Sequence, residues 1–536
     1  MPALLITDTR IVPFRSRSAL ARLRAAGAGA PPRPPSSASP EPVDVRLRDG
    51  VVVEIGPGLA CQGDEVLEAD GGFLIPGLWD AHAHLDLEAA RAGRLDTAAT
   101  RSAKEALEIV ARALRELPAT GPRTIQGFGH RLSAWPRVPT IAELDEVTGE
   151  VPTVLISGDV HSGWVNSAAL RILSLPGAGP AAPGEPMRED PWFALLDRLD
   201  EIPGTRELRE AGYRRVLERA VADGITGVVD MSWAPDPQDW PRRLHALAAE
   251  ASLVTPRIRS AVYREGLGRR IEAGLRTGDP LPGSPLAGDG QPLLTQGPLK
   301  VIADGSMGTA SAHMRDPYPA ALGLEHPCGV ANISRQELTE LMARAHRAGF
   351  ETAIHAIGDA AVDDVAAAFA ASGAAGRLEH AQLLPADAAL PGGALARLVD
   401  HGVELSVQPA HLIDDWAAVG RVWPGLEGRT YAFADMVRAG ALLHLGSDAP
   451  VAPLDPWLAM SAAVGRATPD GRVWSPEQRL SAEEALAASV DGAGAVAVGS
   501  AGDLALVECD PLLLDAEELA GLRPVATVVA GAVHRR

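Results

Sequence analysis

Phe73-Leu74-Ile75-Pro76-Gly77-Leu78-Trp79-Asp80-Ala81-His82-Ala83-His84 is an apolar run that ends in two histidines. On a strand, residues i and i+2 point to one face. His82 and His84 therefore stand side by side, as two ligands for one metal ion would. Outward from this run, short β-like stretches alternate with amphipathic helical ones. Strands are expected at 226–230, 257–263, 299–304, 351–356, 377–382, 404–409 and 442–447. With the first run they make eight, and helices are expected between them at 335–348, 360–371 and 434–439. Eight strand–helix repeats predict an α/β fold, a (β/α)8 TIM barrel over residues 73–494. Residues 95–208 are too many for one loop and predict an insertion or lid after the first barrel strand.

The two ends of the chain read differently. Residues 3–13, 43–56 with a turn at Asp49-Gly50, 502–508 and 525–531 are strand-like. Two β-rich ends predict one small domain built from residues 1–72 and 495–536. Within it, residues 15–42 are rich in Arg, Ala, Pro and Ser and read as a disordered insertion.

Composition excludes several classes of function. The 536-residue chain has a formal charge of −20, which argues against nucleic acid and anionic membranes as partners. Its three cysteines, Cys61, Cys328 and Cys509, are widely spaced, as in a protein of the reducing cytoplasm without a disulfide framework. The start lacks the pattern of a signal peptide, and no apolar run nears the roughly 18 residues that span a bilayer. A cytoplasmic location is expected.

Polar residues recur at the ends of the expected strands. His82 and His84 end the first, Lys300 opens the fourth, His355 and His380 end the fifth and sixth, and Asp448 ends the eighth. Barrel enzymes place their chemistry at those ends. Imidazole and carboxylate ligands suit zinc or a similar divalent ion, which lowers the pKa of bound water to give a hydroxide nucleophile. Asp448 would take the proton and pass it to the leaving group. Only two of the 49 basic residues are lysine, Lys104 and Lys300. A primary amine reacts with carbon dioxide to give a carbamate that can bridge two metals, which arginine cannot do. A charged Lys300 that binds substrate or pairs with Asp304 is the other use open to it.

These residues resemble the amidohydrolase superfamily, and within it the amidohydrolase family 3 branch typified by YtcJ-like proteins and N-substituted formamide deformylases. The resemblance rests on residues 76–84, Asp159-Val160-His161-Ser162-Gly163-Trp164-Val165-Asn166-Ser167, residues 299–308, His355-Ala356-Ile357-Gly358-Asp359, Glu379-His380-Ala381-Gln382 and Gly446-Ser447-Asp448-Ala449-Pro450. It implies a barrel with a composite β-sandwich from both termini. It also implies metal positions at His82, His84, Lys300, His355 and His380, a catalytic and metal-contacting Asp448, and zinc, with two ions favoured over one. The implied activity is hydrolysis of a non-peptide C–N bond (amide, N-formyl or cyclic amide) by metal-bound hydroxide. The implied partner is a small-molecule amide, with a homodimer as the assembly considered.

Two alternatives stand beside that reading. One is a mononuclear zinc deaminase of a heterocyclic base, with Lys300 an ordinary lysine. The other is a non-catalytic amidohydrolase-like binding protein. His161, Trp164, Asn166 and Asp304 are candidate substrate contacts. Packing for Trp164, capping of the helix that begins at Ser167 for Asn166, and a loop tie for Asp304 are their other readings. The insertion at 15–42 and the divergent stretch Gly184-Glu185-Pro186-Met187-Arg188-Glu189 depart from the family pattern and leave the substrate open.

Overall fold

The computed structural model describes residues 3–26, 41–117, 120, 123–132, 135–158, 162–173, 186–196, 198–233, 239–249 and 253–536. Eight parallel strands form the barrel: β1 (Leu78–Ala83), β2 (Ile225–Asp230), β3 (Arg257–Tyr263), β4 (Leu294–Ile302), β5 (Thr352–Ala356), β6 (Gly376–His380), β7 (Glu404–Val407) and β8 (Leu443–Leu445). Each pairs in parallel with the next in chain order. Apart from the exposed Ile302 at the end of β4 and the half-buried Trp79 and Tyr263, their apolar residues are buried on both faces, as expected of parallel strands covered by helices.

Closure between β8 and β1 is made by residues just beyond the strands. The Asp448 amide donates to the His82 carbonyl at 2.7 Å, and the His84 amide donates to the Ala449 carbonyl at 2.8 Å. The Asp80 carboxylate accepts from the His82 amide at 3.0 Å and from the Ser447 amide at 3.1 Å. Gly446 permits this approach, because a Cβ there would stand 2.8 Å from the His82 backbone nitrogen. The seam of the barrel thus fixes where His82, His84 and Asp448 stand.

The expected strands are all present, with two large boundary differences: the first run splits at Gly77, so that Phe73–Pro76 joins the terminal sheet and the barrel begins at Leu78 and not at 73. β4 starts at Leu294, not at 299. Thr295-Gln296-Gly297-Pro298 reads locally as a turn, yet it is held in line by pairing with β3, from Ile258 opposite Leu294 onward. The expected helices appear as Arg335–Arg347, Asp359–Ser372 and Phe433–Arg438.

Both chain ends build the additional sheet domain. Leu4–Ile11 pairs through its first half with Val43–Arg48 and Glu65–Glu68, and through its second half with Phe73–Pro76. Asp8, at φ 52°, makes the bend between the halves. Leu504–Val507, Pro524–Val529 and Ala532–Arg535 extend the second part, and the core includes Leu4, Leu47, Leu74, Leu506 and Val528. Phe73–Pro76 leads straight into β1 through Gly77.

The expectation of a disordered insertion over 15–42 is corrected for residues 15–26. Arg17–Ala25 is a helix capped by Ser16, and Leu20 packs in the barrel's core. Arg24 forms a two-pronged pair with Glu484 at 2.6 and 2.8 Å, and Arg15 pairs with Glu483. The stabilising carboxylates stand 460 and 468 residues away in sequence, beyond the reach of a local reading. Residues 27–40 of that expected insertion lie outside the described residues.

The insertion after β1 is a second compact unit, residues 85–216, wider than the 95–208 expected. It has its own five-stranded sheet, in the order Met187–Arg188, Ser162–Val165, Thr153–Ser157, Ile125–His130, Leu95–Asp96. Among the described residues no helix is long and apolar enough to cross a membrane. Cys61, Cys328 and Cys509 are free thiols.

Candidate functional site

The six residues expected from the strand ends come together at the C-terminal rim of the barrel. His82 and His84 reach Asp448 Oδ1 at 3.5 and 3.2 Å through their Nε2 atoms. One ligand atom from each of these three residues lies within 4.8 Å of the other two. The His82 ring stands 4.9 Å from His380, and His380 stands 4.4 Å from His355, centroid to centroid. Lys300 Nζ, 2 % exposed in the barrel interior, lies 3.3 Å from His82 Nε2.

Glu379 completes the arrangement and was not among the sequence candidates. The fully buried His82 donates its Nδ1 proton to Glu379 Oε2 at 2.8 Å. That bond leaves Nε2 as the lone pair facing Lys300 and Asp448. A carboxylate behind a ligating imidazole fixes its tautomer and strengthens its basicity. Glu379 and His380 are adjacent, so a regular strand would send them to opposite faces. His380 escapes this because its backbone turns into the left-handed region at φ 74°. Asp448 has the same left-handed backbone, at φ 57°. Such conformations in non-glycine residues gather at functional sites.

The charges follow from burial and from close partners. Burial lowers His82 to about 4, aided by Lys300 and opposed by Glu379. Burial works to raise Glu379, but His82, Arg377 and Lys300 outweigh it and hold the carboxyl at about 2. Burial likewise works to raise Asp448, but His84, His82, His380 and His411 keep it well below the usual carboxylate range. Burial pushes the Lys300 ammonium down against the pull of Glu379 and Asp448. Burial likewise pushes His380 well below its ordinary value, so His82 and His380 are held as neutral imidazoles beside the ionised Glu379 and Asp448, which is the protonation a metal requires of its ligands.

This donor set fits a divalent cation. It offers imidazole nitrogens and a carboxylate oxygen, and His380 Nδ1 is buried with no hydrogen-bond partner among the described residues. His82, His84, His355, His380, Asp448 and a modified Lys300 are the groups able to hold it.

The remaining sequence candidates fall elsewhere. Asp304 is fully buried and accepts from the amides of Ile357 at 3.0 Å, Gly358 at 2.9 Å and His313 at 2.9 Å. These bonds tie the loop after β4 to the loop after β5, and Asp304 stands 3.4 Å from His355 Nε2, whose hydrogen bond is with the Gly305 carbonyl at 3.2 Å. Trp164 is fully buried inside the 85–216 unit, donating Nε1 to the Thr140 carbonyl at 2.9 Å. Asn166 caps the helix Ser167–Ile172 through the Ala169 amide at 2.9 Å, and its Nδ2 donates to Thr148 and to the Val151 carbonyl, both at 2.8 Å. Packing and capping, rather than substrate contact, are the uses the structure gives these two. His161 lies outside the described residues.

A sequence profile of the amidohydrolase family matches residues 65–534. The chain belongs to the amidohydrolase family. This amidohydrolase is 27% identical to the N-substituted formamide deformylase of Arthrobacter pascens, over 89% of this chain and 91% of that protein. It is 24% identical to the putative amidohydrolase YtcJ of Bacillus subtilis (strain 168), over 88% of this chain and 90% of that protein. Its fold is similar to that of an uncharacterized metal-dependent hydrolase from Pyrococcus horikoshii OT3, with a TM-score of 0.73 and 24% identity, covering 96% of this chain and 99% of that one.

Proposed function

We propose that this amidohydrolase cleaves a non-peptide C–N bond in an amide, N-formyl or cyclic amide, using one or two divalent ions, zinc foremost. The carrying observation is the convergence of His82, His84 and Asp448, with ligand atoms within 4.8 Å of one another, beside His355, His380 and Lys300. Similarity to a protein named for deformylation of N-substituted formamides supports the bond class. A divalent ion held there supplies Lewis-acid polarisation of a carbonyl and a water that ionises near neutral pH.

The chain's own groups move the protons. Asp448, ionised at the rim, takes a proton from water as its oxygen closes on the carbonyl carbon. It then hands that proton to the leaving nitrogen, so that amide and water become acid and amine. Glu379 keeps the His82 proton on Nδ1. Lys300, buried and shifted toward its neutral amine, attacks carbon dioxide to give a carbamate and one released proton, and so becomes a carboxylate ligand. The three free cysteines agree with action in a reducing compartment.

One observation favours a mononuclear deaminase: only His82, His84 and Asp448 form a tight ligand cluster among the described residues. In that reading Lys300 stays an amine and ammonia leaves a ring amidine. Zinc per chain after growth with zinc separates the two, near two for the first reading and near one for the second. A screen of N-acyl and N-formyl amines, hydantoins and amino-purines then assigns the bond. His82→Ala and Asp448→Asn are expected to abolish turnover with the fold intact, and full activity in both would remove the site. Lys300→Arg is expected to be inactive and Lys300→Ala to be partly rescued by short carboxylic acids. Full activity of the arginine variant would exclude the carbamate.

A further inference from the structure

His411 opens the helix His411–Val422 just beyond the end of β7. Its ring faces that of His380 with the planes 25° apart and the centroids 6.4 Å apart. Its Nε2 stands 3.7 Å from Asp448 Oδ2, on the oxygen that His82 and His84 leave open. The side chain is 7 % exposed, and Nε2 has no hydrogen-bond partner among the described residues. On the other side of the ring, Gln382 Nε2 donates to Nδ1 at 3.4 Å. An imidazole that accepts at Nδ1 carries its proton at Nε2. A buried donor without an acceptor is costly unless something else supplies one.

Resting on the hydrolase reading above, we infer that His411 is a further catalytic residue: its Nε2 proton, placed there by the Gln382 contact at Nδ1, donates a hydrogen bond to the substrate's carbonyl oxygen as negative charge builds there. Gln382 is its positioning residue. The role differs from ligation, because a metal ligand would need Nε2 as a lone pair. It is also distinct from the proton transfer assigned to Asp448, since the His411 proton is shared and not moved.

The test compares zinc-loaded wild type with His411→Phe, His411→Gln and Gln382→Leu in three readouts: zinc per chain, kcat and KM on whichever screened amide the wild type hydrolyses, and heteronuclear spectra of the histidine ring nitrogens. Zinc per chain is expected to be the same in all four. In His411→Phe, kcat is expected to fall about 10²- to 10³-fold, as for loss of one oxyanion donor, with KM changed less than about threefold. His411→Gln is expected to recover part of the loss, since its amide still donates. The ring signal missing from His411→Phe is expected to show the Nε2-protonated tautomer in wild type and to lose that preference in Gln382→Leu. Lost zinc in His411→Phe would make His411 a ligand, an unchanged kcat would make it packing, and an Nδ1-protonated signal would overturn the donor assignment. If no screened amide is turned over, the hydrolase reading fails on its own, and the ring spectra still decide where the His411 proton sits.

Discussion

The hydrogen bond from His82 to Glu379 shows how much of the site rests on single side chains. Both residues are fully buried, so the carboxylate has no water to replace its partner. Glu379→Gln keeps the shape but removes the charge, and it can turn an amide proton toward Nδ1. Metal affinity is expected to fall about 10- to 100-fold, the usual cost of losing such a support. Chelator competition measures it, and an affinity within about twofold of wild type would show that Glu379 does not orient His82. At this scale His82, His84, His355, His380 and Asp448 were legible because each ends an expected barrel strand, and Lys300 because lysine is scarce in the chain; the expected opening position of Lys300 is corrected by the early start of β4, which puts it near that strand's C-terminal end. Glu379 was hidden by the alternation rule that His380 breaks at φ 74°. His411 was hidden because it lies past the strand, at a helix start, where a lone histidine carries no pattern.

Among the elements, the helix Arg17–Ala25 is held by charge as much as by its apolar side. The Arg24 and Glu484 side chains are 6 % and 3 % exposed. Arg24→Ala leaves a buried carboxylate without its partner and is expected to destabilise the protein by about 3–5 kcal/mol. Urea unfolding measures this, and a loss under about 1 kcal/mol would place the pair in the weak class typical of exposed bridges. Arg17 of the same helix pairs with Glu404 at 3.0 Å, and Glu404 also meets the buried His444. Burial works to raise Glu404, but His444, Arg17 and Arg377 outweigh it and bring the carboxyl to about 2, below its ordinary 4.5. A depressed carboxylate stabilises the fold fully above about 4.5, and the contribution is lost as pH falls through about 2. Burial also lowers His444, so acid binds the unfolded chain first and works in the same direction. Glu404→Gln is therefore expected to flatten the fall of the melting temperature between about pH 4.5 and 2, and parallel curves for both proteins would contradict the pairing. Most element types were legible from hydrophobic period. This helix was not, since its partners Glu483 and Glu484 lie at the other end of the chain.

For the molecule as a whole, the proposed ligands come from both sides of the barrel seam, so that metal binding there would be coupled to folding. β1 supplies His82, the turn after β1 supplies His84, and the turn after β8 supplies Asp448, with more than 350 residues between. An ion that binds only the assembled rim stabilises the native state by about 2.7 kcal/mol at 100-fold excess over its Kd. Zinc added to chelator-treated protein is expected to raise the calorimetric midpoint, and His380→Ala is expected to remove most of that rise. A midpoint unmoved by zinc in the wild type would count against the metal centre.

The sequence by itself determined the barrel, the composite terminal domain and the six side chains of the rim, because strand period and strand-end position are local properties of a chain. Tertiary structure alone decided where β4 begins, that residues 17–25 are a helix, and that Glu379 and His411 belong to the site. Each of those depends on a partner brought close by folding: β3 for the start of β4, Glu484 for the helix, His82 for Glu379, and Asp448 with Gln382 for His411. No local pattern encodes a contact between distant residues, and a buried charge or unshared proton becomes informative only once its neighbours are in place.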